Sequence, residues 1–349
     1  MHFANVPALL SVLLASKAAA TSTANTTRTV YEFPPGTWVE NIAVRSNGNL
    51  LLMPEQPYAC LYSLDPSAAS PEPVLIQNLT ETYGYSSLFG IAESLETPDL
   101  FYFIAGNFTY SEGENAIFTV TFSNTSDPEV TLFSKIEGAV FLNGLSAHPL
   151  NTSLIIAGDS SLGQTWSINT QTGTYAPGIQ NKTLMSMETG SLAGGINGLK
   201  VGDAGKTLYF TNTAQNIMGK IAIDAAGNAA DNGAADAVLA VANLPGQGWD
   251  DLAVYPPYYD SAAFLAAETS TYLYAATSAA YAIERIDPAT STGVYIAGSV
   301  NSTQIERPTA CQLGRGEADA GWLYVTTAGD TGETDESLGG QIVAVYVGN

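Results

Sequence analysis

Short apolar runs bounded by Gly, Pro, Asn, Asp and Ser recur along the chain from Thr29 onward, and no stretch of useful length shows helical periodicity. One stretch shows the unit most clearly. Asn197-Gly198-Leu199-Lys200-Val201 reads as a strand, Asp203-Ala204-Gly205 as a turn, and Thr207-Leu208-Tyr209-Phe210-Thr211-Asn212 as a second strand. The turn residues are ones that tolerate the backbone angles a tight reversal needs.

The chain repeats this phrase. Glu40-Asn41-Ile42-Ala43-Val44 leads into Leu50-Leu51-Leu52, Phe89-Gly90-Ile91-Ala92 into Leu100-Phe101-Tyr102-Phe103, and Asn143-Gly144-Leu145 into Leu154-Ile155-Ile156. After the copy at Asn197, Asp250-Asp251-Leu252-Ala253-Val254 leads, past a longer insert, into Tyr272-Leu273-Tyr274. Arg307-Pro308-Thr309-Ala310 leads into Trp322-Leu323-Tyr324-Val325. Starts at residues 40, 89, 143, 197, 250 and 307 are 49, 54, 54, 53 and 57 residues apart.

A period in this range marks a repeat architecture. Units of about four short strands that cannot bury their faces alone close into a ring. The pattern therefore predicts an all-β, six-bladed β-propeller. Blades one to five span 39–79, 88–136, 142–182, 196–244 and 249–300, and the remainder forms blade six. The alternating segment Thr29–Phe33 is expected to pair outside Gln341–Val347 and fasten the ring as an N-terminal closing strand. The recurring Trp-Asp signature of the best-known propeller repeat is missing. The insert Pro256-Pro257-Tyr258-Tyr259 reads as part of a rim, the Ala-rich segment 225–237 as a mobile loop, and the acidic segment 330–337 as a solvated loop rather than a calcium site.

Composition adds compartment and exclusions. Residues 1–20 hold an apolar run, Val6 to Ala15, followed by Ala18-Ala19-Ala20, which reads as a signal peptide, with the single propeller domain at 21–349. Secretion is the expected route and no membrane span is expected, because the apolar run is too short to cross a bilayer. Sequons at Asn25, Asn78, Asn107, Asn124, Asn151, Asn181 and Asn301 predict N-glycans. In an oxidising compartment Cys60 and Cys311 have two outcomes: a disulfide across the closing blades, or two buried thiols.

The net charge of −22, with eleven Lys and Arg in all, argues against nucleic acid as a partner, since phosphate neutralisation needs clustered cations. His148 is the single histidine beyond the signal segment and precedes Pro149 in a turn. A Ser-His-Asp triad and a His/Cys zinc site are therefore not expected. Gly205-Lys206-Thr207 lacks the upstream glycine of a phosphate loop, and no dinucleotide fingerprint is present, so no organic cofactor is expected.

Equivalent positions in a propeller share one radius and one height. Glu40, Phe89, Asn143, Asn197, Asp250 and Arg307 are therefore expected together at one mouth of the central channel. Two carboxylates and two amides make an oxygen-rich set suited to Ca²⁺ or Mg²⁺; the other reading is that they cap backbone groups at strand starts. Trp38, Phe89, Phe141 and Trp249, at or beside these positions, are candidate walls of an apolar small-molecule pocket, or else ordinary packing between blades.

At these motifs the chain resembles the gluconolactonase family of six-bladed propellers, also called the regucalcin or senescence-marker-protein family. The phrases that carry the resemblance are Glu40-Asn41-Ile42-Ala43-Val44, Asn197-Gly198-Leu199 with Gly205-Lys206-Thr207-Leu208-Tyr209-Phe210, and Asp250-Asp251-Leu252-Ala253-Val254. The resemblance implies a divalent cation on Glu40, Asn197 and Asp250, with Asn143 nearby. It departs where those lactonases place a basic residue, here Phe141-Leu142, and at Asp251. In style the chain also looks like secreted fungal propellers of secondary metabolism, some of which are hetero-Diels–Alderases that join an ortho-quinone methide to an alkene of a terpene such as humulene. That likeness implies Asn143, Asn197, Asp250 and Arg307 as catalytic groups and an apolar substrate. A metal-dependent lactonase and a secreted binder without turnover are the alternatives.

Overall fold

The computed structural model describes residues 26–348 except 110, 124–125, 188–193, 234, 242–247, 259–262, 264–271, 301 and 331–337. The signal segment, Asn25, Asn124, Asn301 and most of the acidic loop near Asp330 lie outside the described residues.

Six four-stranded antiparallel sheets stand around a central axis, five built from consecutive strands and the sixth from the last three strands of the chain with the first. The innermost strands are Trp38–Val44, Ser87–Glu93, Leu142–Ala147, Ile196–Gly202, Trp249–Tyr255 and Pro308–Leu313, one at the start of each repeat. The molecule is a six-bladed β-propeller. Six apolar clusters fill the six gaps between blades. Leu51, Met53, Phe101 and Phe103 meet between blades one and two, and Ile156, Leu199, Leu208 and Phe210 between blades three and four. Ile42, Leu50, Ala310 and Tyr324 meet where blade six returns to blade one. Each sheet is covered on both faces, so its inner strands are apolar on both sides rather than alternating, as a doubly covered sheet requires.

Ring closure follows the expected scheme. Thr27–Glu32 pairs antiparallel with Gln341–Tyr346, and the Gln341 amide donates to Glu32 at 2.9 Å. The first and last strands of the chain thus share blade six, and opening the ring requires breaking that ladder. His148 is fully buried; its Nδ1 accepts from the Leu150 N–H, so Nε2 carries the proton and donates to the Asp224 carbonyl at 3.0 Å. It ties blade three to blade four, a structural role.

Of the two outcomes for the cysteines, the fold shows the buried thiols. Cys60 and Cys311 are both free buried thiols. Cys311 lies on the innermost strand of blade six and packs towards blade five, its thiol against the Tyr274 carbonyl at 3.3 Å. Cys60 begins the third strand of blade one. Neighbouring blades do not suffice when one thiol turns away from the shared interface.

Register irregularities fall at the same place in each innermost strand: Val39/Asn41, Leu88/Ile91, Leu142/Leu145, Ile196/Leu199, Trp249/Leu252 and Pro308/Ala310. Bulges re-aim side chains, and here they do so at the mouth of the channel. In blades two, three and four the second bulge residue is glycine, because a Cβ there would meet the next blade's backbone: 2.5 Å from Leu145 N at Gly90, 2.3 Å from the Asn197 carbonyl at Gly144 and 2.4 Å from Asp251 Cα at Gly198. In blades one and five the position is Asn41 and Asp251 instead.

Candidate functional site at one mouth of the channel

The first bulge residues and their neighbours form an acid-rich floor. Glu40, Asn143, Asn197 and Asp250 are all buried. Blade four fixes Asp250 from behind: Thr211 Oγ1 donates to the Asp250 carbonyl at 2.6 Å and Thr213 Oγ1 to the Trp249 carbonyl at 2.7 Å. The Asn197 amide donates to Thr213 Oγ1 at 2.9 Å, which leaves its own oxygen facing inward. Trp38 Nε1 donates to Glu40 at 2.7 Å.

The electrostatics are those of crowded acids that neighbouring N–H donors offset only in part. Burial, with the charge of Asp251 added and the Trp38 N–H opposing, pushes Glu40 up to about 7. Burial, then the charges of Glu40 and Asp251, hold Asp250 well above the usual carboxylate range, with Asn197 opposing. A third acid, Glu55, stands beside Glu40 from the second strand of blade one. Its burial, then the charges of Glu40 and Asp250, raise it well above the usual carboxylate range. Like charges in a dry site favour the protonated form.

Buried oxygens without partners cluster here. Among the described residues Asn143 Oδ1, Asn197 Oδ1 and Asp250 Oδ1 have no hydrogen-bond donor. Leaving such atoms bare costs about 1–3 kcal/mol each, a cost that an occupant supplying donors or positive charge would recover. No three His, Cys, Asp or Glu side chains among the described residues group closely enough to ligate a metal by themselves. A cation at this mouth has to be held by the mixed set of Glu40, Asp250 and the Asn143 and Asn197 amide oxygens. These are hard neutral and anionic oxygens of the kind Ca²⁺ takes, so the residues fit the group.

Aromatic rings surround the floor unevenly. Phe89, Phe108 and Phe141 meet with centroids 5.2–5.5 Å apart. Phe89 is fully buried, Phe141 nearly so, and Phe108 is 42% exposed at the opening. Across the channel the Arg307 guanidinium lies over the Trp38 ring, 4.9 Å from its centroid. Arg307 sits just outside the blade-six strand, with φ of 52°. Trp249 is fully buried in the packing between blades four and five.

Beneath the floor lies a salt-bridged knot that the sequence pattern did not single out. Asp251 accepts from Asn41 Nδ2 at 2.9 Å, from Lys200 Nζ at 3.0 Å on both oxygens, and from its own strand's Leu252 N–H at 2.7 Å. Blades one, four and five are thereby tied across the axis. Glu55 was also missed; its one signal is a carboxylate in an otherwise apolar strand, Leu50-Leu51-Leu52-Met53-Pro54-Glu55.

No family model matches the chain. Over 326 residues it is 28% identical to a protein from Phoma sp named "Putative hetero-Diels-Alderase", covering 86% of each chain. It is 29% identical over 325 residues to a protein of the same descriptive name from Sarocladium schorii, covering 86% of this chain and 77% of that one. The crystal structure of regucalcin, a calcium-binding protein from Agrobacterium tumefaciens, superposes with a TM-score of 0.57 at 15% identity, over 92% of this chain and 95% of that one. This last likeness is one of fold.

Proposed function

We propose that the protein is a hetero-Diels–Alderase of secondary metabolism that joins an ortho-quinone methide to an alkene of an apolar terpene such as humulene at the Glu40–Asp250 mouth. The observation that carries this reading is the pairing, at one mouth, of aromatic rings (Phe89, Phe108, Phe141 and Trp38) with buried amides and with carboxyl groups whose burial favours the protonated form. The names of the two relatives support the reaction class.

The reaction forms one C–C and one C–O bond between the four-atom heterodiene and the alkene, and expels nothing. It needs no strong base, which suits a site without histidine. The wall holds the two partners in a reactive pose, where proximity supplies most of the gain. Asn143, a protonated carboxyl at Asp250 or Glu55, and the Arg307 guanidinium donate to the quinone methide oxygen as it gains negative charge. Asn197 positions Asp250. Transit through the secretory route, with glycans on the sequon asparagines at 78, 107, 124, 151, 181 and 301, completes the proposal.

A second reading rests on the open oxygens of Asn143, Asn197 and Asp250. With Glu40 they would hold a divalent cation, which when bound supplies Lewis-acid polarisation of a carbonyl. In a lactone hydrolase of this kind Glu40 or Asp250 would take the proton of the attacking water. One experiment separates the readings: purified protein with a quinone methide precursor plus humulene, and with a lactone panel, each with and without chelator. A single stereoisomer of the adduct is the expected result. Ring opening lost on chelation defeats the cycloaddition reading, and silence in both arms favours a binder.

A further inference from the structure

The channel has another end. Below the Asn41–Asp251–Lys200 knot, the C-terminal halves of all six innermost strands enclose a separate cavity, with Ile42, Val44, Ile91, Leu145 and Val254 among its walls. Its volume is about 60 Å³ measured to the centres of water molecules. That is room for roughly four to six waters, or a molecule of about that many non-hydrogen atoms.

The chemistry of the lining narrows the occupant. Every full charge at its border is already matched: Lys200 by Asp251 at 3.0 Å, and Arg315 by Glu93. Arg315 also donates to the Val44 carbonyl at 3.0 Å, which holds the ion pair across blade one. An ionic ligand finds no unmatched counter-charge here, and desolvating one without a partner is costly. The hydroxyls are committed too. Ser146 Oγ accepts from the Val201 N–H at 3.0 Å and donates to the Ala147 carbonyl at 3.1 Å, so at 2.9 Å it receives its third bond from the Tyr258 O–H. Gln312 differs: among the described residues no group hydrogen-bonds its side-chain amide, which borders the cavity.

We infer that this lower cavity is a second small-molecule site, distinct from the acidic mouth, for a small neutral and mainly apolar molecule with one hydrogen-bonding oxygen, such as a short alcohol or ketone. The apolar walls take its carbon chain and the Gln312 amide takes its oxygen. The satisfied knot above keeps it apart from the acids. Tyr258, brought in by the blade-five insert, closes the side of blade four.

The test uses 1-pentanol as the probe, with pentanoate and pentylamine as charged mimics of equal length, titrated into the full-length protein and followed by NMR. Pentanol is expected to bind saturably at one site. Gln312→Leu is expected to weaken it roughly three- to tenfold, the worth of one hydrogen bond. Ala147→Phe, which fills the cavity, is expected to abolish it, with melting curves showing that both variants fold. The two ions are expected to bind at least about tenfold more weakly. Absence of saturable pentanol binding, binding untouched by both variants, or ions that bind as well as the alcohol would each overturn the inference. Asp250→Asn, at the other mouth, is expected to leave pentanol binding unchanged; a loss there would show that the probe reads the acidic mouth and would also overturn it.

Discussion

Two neighbouring residues of one strand, Asp250 and Asp251, face opposite halves of the channel and have opposite fates. Asp251 is surrounded by donors from three blades and is an ion among partners. Asp250 has donors from Asn197 and the Asp251 N–H but no cation, one of its oxygens is bare, and burial beside Glu40 and Asp251 holds its carboxyl towards the neutral form. Burial is the same for both, 7% and 3% exposed. The difference is therefore one of company. A satisfied buried charge ties the ring together, whereas an unsatisfied cluster stores unfavourable energy that a ligand can release.

The largest expected effect lies on the satisfied side. Asp251→Ala leaves the Lys200 ammonium buried with one carbonyl contact and should cost about 3–5 kcal/mol of stability in urea unfolding. Lys200→Met in the Asp251→Leu background should recover most of that loss, since replacing a whole buried pair by apolar side chains is often close to neutral. A single Asp251→Ala variant as stable as the wild type would mean that the knot contributes little to closing the ring.

Asp250→Asn should act in the other direction. With chelator present it removes a repelling acid from beside Glu40 and Glu55 and should leave stability unchanged or raise it by about 1 kcal/mol. Asp250→Leu, which also removes the donor, should lower adduct formation at least about tenfold, the worth of one well-placed donor in a desolvated site. Destabilisation by Asp250→Asn matching that of Asp251→Ala would erase the contrast between the two halves.

The contrast also predicts a pH dependence. Glu40, pushed up to about 7, binds more protons folded than unfolded, so its contribution is complete below about pH 4.5 and is lost as pH rises through about 7. Asp250 and Glu55 act in the same sense. His148 opposes them: burial lowers its pKa, so its contribution is present above about pH 6.5 and is lost as pH falls. In chelator the three acids outweigh the one histidine, and the melting temperature should fall between pH 5 and pH 8. Added Ca²⁺ should raise it more at pH 8 than at pH 5. A melting temperature that climbs steadily to pH 8 without metal would show that the acids are not crowded as described.

The repeat made the fold legible. Six strand starts at near-constant spacing imply six blades whatever the loops do, and the expected closing strand, observed at Thr27–Glu32, pairs with the last strand as the ring requires. The same periodicity placed Glu40, Asn143, Asn197 and Asp250 at one mouth, because equivalent positions share a radius. What it missed departs from the repeat. Glu55 lies on a second strand, where no equivalence points at the axis. Asn41 and Asp251 occupy positions that are glycine in three other blades, and only the close approach of those blades explains why such a position can carry a polar bridge. Tyr258 reaches Ser146 from an insert found in one blade alone, 112 residues away in sequence.

The smallest expected effect concerns the thiols. Cys311 borders the lower cavity and Cys60 begins the third strand of blade one, and burial raises both thiol pKa values, so neither is a ready nucleophile. A disulfide between them would staple blade one to blade six over most of the chain and, on the entropic account, be worth several kcal/mol. The closing strand pair Thr27–Glu32 and Gln341–Tyr346 already performs that closure without a covalent bond. Reductant should therefore leave the melting temperature within about 1 °C, and alkylation with mass detection should find both thiols only after denaturation. A mass lower by two hydrogens before reduction, or a clear drop in melting temperature with reductant, would show instead that blade six can turn its innermost strand towards blade one, and would shift the stapling of the ring from the strand ladder to the sulfurs.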